Sequence, residues 1–197
     1  MTETPPLGSF VRELTIAEVI EETADAKSIV FDIPAGCEDD FRYTPGQFLT
    51  LRVPSERTGS VARCYSLSSS PTEDARLKVT VKRTIDGYGS NWLCDNAEAG
   101  MSMHVLAPSG IFTPKNLDQD FILLAAGSGV TPVMSILKSA LAQGTGHIVM
   151  VYANRDEKSV IFKDELQRLQ RENPDRLTVL HWLESVSGIP TAEMIGN

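Results

Sequence analysis

The pattern of apolar residues changes once along the chain, at Phe121, and this change predicts two different architectures. Before it, short strand-like segments are separated by turn signals such as Pro34-Ala35-Gly36 and Pro45-Gly46. After it, apolar strands alternate with helices. Many short strands with regular turns predict an antiparallel barrel or sandwich. Alternation of strand and helix predicts a parallel sheet with right-handed crossovers.

The first half contains six predicted strands and one predicted helix. The strands lie near residues 11–21, 28–33, 47–53, 63–68, 76–82 and 102–107. The clearest is the run from Leu77 to Lys82, whose strict alternation predicts one buried and one solvent-facing side. The helix is expected to begin around Ser90, which suits an N-cap, and to end before Gly100.

The second half begins with Phe121–Ala126, a continuous apolar run that predicts a parallel strand covered on both faces. We expect a helix over residues 133–142, with Pro132 in its first turn and Gly144 at its end. A strand over 147–152, a helix over 160–172 and a strand over 177–183 follow. The predicted domains are therefore residues 1–115 and 116–197.

Composition excludes several classes of protein. A net charge of -8 and a pI near 4.9 argue against a nucleic-acid partner, which would need a basic surface. Residues 1–9 lack a signal sequence and no apolar run is long enough for a membrane span, so we expect a cytoplasmic protein without a membrane partner. Three widely spaced cysteines and three scattered histidines fit neither a disulfide framework nor a metal site.

The segment from Arg63 to Ser69 carries groups that could bind a flat, phosphate-bearing ligand. A guanidinium matches phosphate, a phenol ring can stack, and a serine hydroxyl can meet a ring nitrogen. Strand alternation puts Arg63 and Tyr65 on one face and Ser66 on the other. If all three side chains contact one ligand, the strand needs a twist or a bulge near Tyr65. The alternative is a half-buried strand with a solvated Arg63 and Tyr65 in the core.

Two glycine-containing turns could receive anions. The first, Gly87-Tyr88-Gly89-Ser90, would let backbone approach a phosphate at a helix start, although a hairpin turn feeding a capped helix gives the same pattern. The second, Gly127-Ser128-Gly129-Val130-Thr131-Pro132, joins a buried strand to a helix, with Pro132 in place of the last glycine of the usual dinucleotide motif. Its alternative is a tight turn without a ligand.

Together these segments resemble the signatures of the ferredoxin-NAD(P) reductase-like flavoprotein superfamily. The matching patterns are Arg-x-Tyr-Ser-x-x-Ser from Arg63, Gly-x-x-Ser from Gly87, Gly-x-Phe from Gly110 and Gly-x-Gly-x-x-Pro from Gly127. The resemblance covers nearly the whole chain. It implies a six-stranded antiparallel β-barrel that binds FAD, followed by a partial parallel-sheet α/β domain that binds a nicotinamide nucleotide.

The resemblance also implies roles for individual residues. Arg63 would hold the FAD pyrophosphate, Tyr65 would pack on the isoalloxazine ring, and Ser66 would hydrogen-bond near flavin N5 as the catalytic residue. The other expected cofactor-binding residues are Ser69, Val81, Lys82, Gly87, Gly89 and Ser90 for FAD, and Gly127, Gly129, Thr131, Pro132 and Arg155 for the nicotinamide nucleotide.

NADH is the expected nucleotide, because Glu184-Ser185 stands where many NADPH-dependent members have a serine-arginine pair. Arg155, which follows the second strand of the predicted sheet, keeps NADPH open as an alternative. A solvated turn at Asn154 and Arg155 is the other interpretation.

The implied function is a reductase that takes hydride from NADH onto FAD and passes electrons to the iron-sulfur centre of a terminal oxygenase or ferredoxin. Similar reductases carry a C-terminal 2Fe-2S domain, and the cysteines here lack the ligand spacing, so we expect the cluster in a missing domain or a partner. The sequence is then either a fragment or a shortened variant. Two alternatives remain open: a flavin-binding module without efficient hydride transfer, and a reductase of a haem or free flavin.

Overall fold

The computed structural model describes residues 11–189. The strands are β1 Val11–Thr23, β2 Ala26–Asp32, β3 Phe48–Ser55, β4 Gly59–Ser66, β5 Leu77–Lys82, β6 Ser102–Ser109, β7 Phe121–Ala126, β8 Ile148–Asn154 and β9 Leu177–Leu183. The helices are α1 Tyr88–Asn96, α2 Val130–Gln143, α3 Lys163–Glu172 and α4 Glu184–Ser187, with short 3-10 turns at Asp39–Phe41, Gly127–Gly129 and Glu157–Ser159. The parts of the two predicted domains before residue 11 and after residue 189 lie outside the described residues.

The first six strands form one antiparallel sheet in the order β4-β3-β6-β1-β2-β5. The sheet closes because the chain after β4 pairs with β5: Leu67 bridges Val79, and the amide of Ser68 donates to the carbonyl of Lys78 at 2.8 Å. The predicted six-stranded barrel is therefore confirmed.

Alternating apolar residues fill the barrel. Leu49, Leu51 and Val53 of β3 are fully buried, as are Val79 and Val81 of β5. The expectation that the other side of β5 faces solvent is wrong at Thr80, which is 4% exposed. Its hydroxyl lies in a hydrogen-bonded chain with Ser28 and Ser68, so the side opposite the barrel core is covered by protein.

The second sheet is parallel, in the order β7-β8-β9. Helices α2 and α3 cover one face, where Leu123, Met150 and Tyr152 are buried. The prediction that β7 is covered on both faces is wrong, because Ile122 and Leu124 are 78% and 70% exposed. Right-handed crossovers that advance in one direction along a sheet put their helices on the same side, and no described element covers the other.

The starts of three helices can be compared with the sequence expectation. Helix α1 begins at Tyr88 with Gly87 as N-cap, so the predicted N-cap role of Ser90 is wrong. Helix α2 begins at Val130, which places Pro132 in its first turn as predicted. Helix α3 begins only at Lys163, because Phe162 takes a left-handed conformation (φ 61°) that interrupts helical backbone. No described helix has the length and apolar character to cross a membrane.

Helix α2 packs against the segment that follows β4 and so joins the barrel to the second sheet. Ser135 Oγ donates to the carbonyl of Ser69, and Ser139 Oγ lies 2.9 Å from Ser70 Oγ. Lys138, only 4% exposed, pairs with Asp74 at 2.7 Å. Because this segment continues β4, the contacts fix the start of α2 relative to the residues at the end of that strand.

Candidate active site

A cavity of about 370 Å³ opens between the barrel and the turn that precedes α2. Its walls come from the end of β4, from β5 and the turn leading into α1, and from the start of α2. The lining residues are Arg63, Cys64, Tyr65, Ser66, Thr80, Lys82, Thr84, Gly87, Ser90, Ser128 and Thr131. Residues from both predicted motifs, for flavin and for dinucleotide, therefore share one cavity.

Strand β4 brings both of its faces to this cavity without a bulge. The pairing of β3 with β4 runs without a register shift from Phe48 opposite Ser66 to Ser55 opposite Gly59, so β4 has no bulge, one of the two distortions expected near Tyr65. The cavity lies instead along the edge of β4 that has no ladder partner, since β4 is last in the order of the sheet. Side chains from either face can bend around an open edge, which resolves the alternation problem.

Arg63 lies across the start of α1. A β-carbon added to Gly89 would lie 2.8 Å from Cγ of Arg63, so only glycine allows this approach. The guanidinium is exposed, and its Nη1 donates to the neighbouring carbonyl of Ala62 at 2.8 Å. No described side chain caps the first turn of α1, whose amides add a partial positive charge. A cation and a helix start therefore face the same space.

The turn from Thr84 to Gly87 is held tightly against α1. Ser90 Oγ accepts a hydrogen bond from the Thr84 amide and donates to Thr84 Oγ1, both at 3.2 Å. A β-carbon at Gly87 would lie 2.8 Å from Cβ of Thr84, so a side chain there would open the turn. The Ser90 hydroxyl is therefore engaged in holding the turn. Because Ser90 lines the cavity, its backbone amide is the group suited to bind a phosphate.

Tyr65 and Ser66 offer different chemistry. Tyr65 is half-buried against the barrel core, and this burial raises the pKa of its phenol to about 12, so the phenol stays neutral at physiological pH. Ser66 Oγ has no hydrogen-bond partner among the described residues, although it lines the cavity. A hydroxyl in this state can donate to or accept from a ligand atom.

The dinucleotide turn, residues 127–132, is fixed by a hydrogen bond from β8, the second strand of its sheet. Tyr152 Oη donates to the carbonyl of Gly127 at 3.0 Å, and burial raises the pKa of Tyr152 to about 12, which keeps that donor protonated. Gly127 has φ +48°, a conformation that favours glycine. A β-carbon at Gly127 or Gly129 would meet no atom within 4 Å, so the space around this backbone can admit a ligand.

Several predicted residues lie away from the cavity lining. Ser69 is fully buried, with its Oγ 2.7 Å from the Tyr43 hydroxyl and accepting from the Lys78 amide. The Val81 side chain is in the barrel core. Gly127, Gly129 and Pro132 form the turn and first helical residues beside the lining residues Ser128 and Thr131.

Arg155 lies at the C-terminal end of β8 and is paired with Asp25 of the barrel, with Nη2 to Oδ2 at 2.9 Å. Sequence reasoning missed Asp25, because nothing local marks this turn residue as part of a site. It also missed Thr84, for which the following Asp86-Gly87 turn was the available signal. Within residues 11–189, no group of three His, Cys, Asp or Glu side chains could hold a metal ion.

The donor set fits FAD. Arg63 and the uncapped start of α1 suit a pyrophosphate, and the glycines at 87 and 89 occupy positions where a β-carbon would displace the turn or Arg63. Tyr65 supplies an aromatic surface and Ser66 an unpaired hydroxyl.

Family comparisons agree with this geometry. Residues 13–113 match the family model described as the oxidoreductase FAD-binding domain, and residues 123–193 match the oxidoreductase NAD-binding domain. The chain is 70% identical, over 97% of its length, to the ferredoxin reductase component of 3-ketosteroid-9-alpha-monooxygenase from Mycolicibacterium smegmatis, of which it covers 55%. It is 34% identical, over 85% of its length, to a component of the 1,2-phenylacetyl-CoA epoxidase from Escherichia coli, of which it covers 48%.

Among solved structures, phthalate dioxygenase reductase superposes with a TM-score of 0.75 at 28% identity, covering 92% of this chain and 54% of that one. That protein is described as transferring electrons from pyridine nucleotides to a [2Fe-2S] centre. The present chain spans about half the length of the curated relatives that it matches. The family membership predicted from the motifs is confirmed: the chain belongs to the ferredoxin reductase-like family of FAD- and NAD-binding oxidoreductases.

Proposed function

We propose that this protein is the electron-transfer reductase of an oxygenase system. It would take hydride from NADH onto FAD and pass the electrons to an iron-sulfur centre in a terminal oxygenase or a ferredoxin. The relatives support this assignment, since the Mycolicibacterium protein is named as a ferredoxin reductase component of a monooxygenase.

The shared cavity is the observation that carries the proposal. Arg63, Tyr65 and Ser66 line it from the barrel, and Ser128 and Thr131 line it from the dinucleotide turn. Hydride transfer requires the two rings to meet at near-contact distance, and holding them so can supply a large part of the rate. A flavin site and a nucleotide site in separate cavities would not support this function.

Each residue would have a limited task, because the redox chemistry belongs to the cofactor. Bound FAD would accept a hydride and release electrons singly. Arg63 and the start of α1 would hold its phosphates, and Tyr65 would cover one face of its ring. Ser66 would place its hydroxyl at the hydride-accepting atom. Helix α2, anchored by Ser135 and Ser139, would hold the nucleotide turn over that ring.

We also propose that the two domains divide between residues 115 and 116. Asp118 supports this boundary, because its Oδ1 accepts hydrogen bonds from both the amide and the hydroxyl of Thr145, which follows α2. A β-carbon at Gly144 would lie 2.3 Å from the Leu117 carbonyl oxygen. The segment after residue 116 thus packs with the second domain. A cytoplasmic location is proposed as well, in keeping with the free thiols of Cys37, Cys64 and Cys94.

Two measurements test the proposed function. Purified protein should show the visible absorption of bound flavin, or gain it when FAD is added. Anaerobic stopped-flow mixing with NADH should then bleach that absorption. Protein that stays colourless with FAD contradicts the proposed function. Coloured protein that NADH does not bleach supports the alternative of a flavin-binding module without efficient hydride transfer. A comparison of ferredoxin, cytochrome and free flavin as acceptors distinguishes the proposed function from reduction of a haem or of free flavin.

A further inference from the structure

Asp25 connects the two nucleotide regions of the molecule. It lies in the tight turn between β1 and β2, and its Oδ2 accepts a hydrogen bond from Arg155 Nη2 at 2.9 Å. The same oxygen lies 3.6 Å from Nζ of Lys82, which lines the flavin cavity. Its other oxygen accepts from the Thr23 hydroxyl at 2.8 Å. The carboxylate is therefore held in place and has two cations beside it.

Arg155 lies at the sheet edge where a dinucleotide fold binds the ribose, beside Ser185, whose amide donates to the Arg155 carbonyl at 2.8 Å. It follows directly after β8, the second strand of the parallel sheet in chain order, at the carboxyl end where ligands bind in such sheets. In dinucleotide-binding folds an arginine near this position accommodates a 2′-phosphate, while an acidic residue receives a free ribose diol. Its side chain is 65% exposed, so a ligand could reach it.

We infer that Asp25 determines nucleotide preference, because its ion pair with Arg155 disfavours a ribose that carries a 2′-phosphate and tolerates one with a free 2′-hydroxyl. The inference rests on the proposed function, since it concerns the nucleotide that would reduce the flavin. It assigns the preference to a residue of the barrel domain, 130 positions away from Arg155 in sequence.

The charges favour this preference in two ways. A phosphate group would have to compete with Asp25 for the guanidinium, which binds carboxylate and phosphate in the same bidentate geometry. It would also approach a fixed carboxylate, and like charges at this range repel. Asp25→Asn would end the repulsion and weaken the competition for the guanidinium, because the amide oxygen of asparagine is a neutral acceptor, and it would leave the size of the side chain unchanged.

The test is calorimetric titration of the FAD-loaded protein with AMP and with 2′-phospho-AMP. Bound FAD keeps either probe out of the flavin cavity. Asp25→Asn should raise the affinity for 2′-phospho-AMP about tenfold, with AMP affinity changed less than about twofold, as expected when one charged hydrogen bond is gained. The double variant Asp25→Asn/Arg155→Gln should lose that gain. Asp39→Asn is the matched control, because Asp39 pairs with Arg42 on an exposed 3-10 turn elsewhere.

Lys82 needs its own control because Asp25→Asn also removes its partner. If the gain for 2′-phospho-AMP persists without Arg155 but disappears in Asp25→Asn/Lys82→Gln, the inference is wrong. It is also wrong if wild-type protein already prefers 2′-phospho-AMP about tenfold, or if Asp25→Asn leaves the preference unchanged. Bleaching of the flavin by NADH in those cases leaves the proposed function standing. Loss of both nucleotide binding and bleaching overturns the function and the inference together.

Discussion

Arg63 and Gly89 are in contact, although one belongs to a strand of the barrel and the other to the first turn of α1. A β-carbon at Gly89 would lie 2.8 Å from Cγ of Arg63, closer than non-bonded carbon atoms approach in proteins. The contact fixes the guanidinium beside the uncapped helix start and so concentrates positive charge at one point of the cavity.

Gly89→Ala should therefore weaken FAD binding without unfolding the protein. The new methyl group would displace Arg63, while alanine itself favours the helix by about 1 kcal/mol over glycine. We expect the dissociation constant for FAD to rise about tenfold, equivalent to about 1.4 kcal/mol, in a fluorescence titration. In an Arg63→Ala background the same substitution should have little further effect, as two changes on one contact are not additive. A full additive loss in the double variant would contradict this assignment.

Ser66→Ala should slow flavin reduction and leave FAD bound. Because Ser66 Oγ has no partner within residues 11–189, its removal leaves no buried group unsatisfied, and stability should change little. A lost hydrogen bond at the reacting atom should lower the bleaching rate with NADH about 10- to 100-fold. Ser102→Ala is the control, since Ser102 is an exposed strand serine outside the cavity. Normal bleaching in Ser66→Ala would remove Ser66 from the chemistry.

The strands and motif turns of this fold could be predicted because their signals are local. Apolar alternation in β5, the apolar run of β7 and the glycines of both turns act over a few residues, and the structure has an element at each place. The meeting of the two motifs in one cavity followed only from family resemblance. Nothing local in either motif encodes the distance between them.

What the sequence could not show are contacts between segments that are far apart in the chain. Ser69 belongs to the flavin signature, yet its hydroxyl is taken by Tyr43 because the chain turns inward there to close the barrel. Lysine is seldom buried, but Lys138 is 4% exposed between two carboxylates. Such positions depend on which surfaces meet, and a periodicity within one element carries no information on that.

Lys138→Met should destabilise the interface between the barrel and the second sheet. Its ammonium lies 2.7 Å from Asp74 and 3.0 Å from Glu165, which belong to the barrel and to α3. Removal of the cation leaves the two carboxylates close together, with Lys78, 3.3 Å from Glu165, as the remaining ion-pair partner within residues 11–189. We expect a loss of about 2–3 kcal/mol in the free energy of unfolding, measured with urea.

Lys163→Met is the matched control for Lys138, because among the described residues Lys163 makes one ion pair, with Glu157 at 2.6 Å, on the surface. Surface ion pairs contribute little to stability, so this variant should unfold close to the wild-type midpoint. Equal loss in both lysine variants would show that burial of the Lys138 network adds nothing.

Glu22 should make stability depend on pH with an unusual sign for a carboxylate. Burial raises the pKa of Glu22 above its ordinary value of 4.5, although Ser28 donates a hydrogen bond to it at 2.6 Å and Lys78 lies near. The folded protein therefore binds this proton more tightly than the unfolded chain does. Stability from this group is fully present below pH 4.5 and decreases as pH rises towards the elevated pKa.

Glu22→Gln should remove that dependence, because glutamine cannot ionise. The difference in unfolding free energy between Glu22→Gln and wild type should grow in favour of the variant as pH increases above 4.5, and become constant above the folded pKa. Urea unfolding at a series of pH values measures this difference. Glu18→Gln, on an exposed position of the same strand, controls for the loss of one negative charge. If the wild type gains stability relative to Glu22→Gln over this range, hydrogen bonding by Ser28 outweighs burial and the carboxylate form is the one that the fold favours.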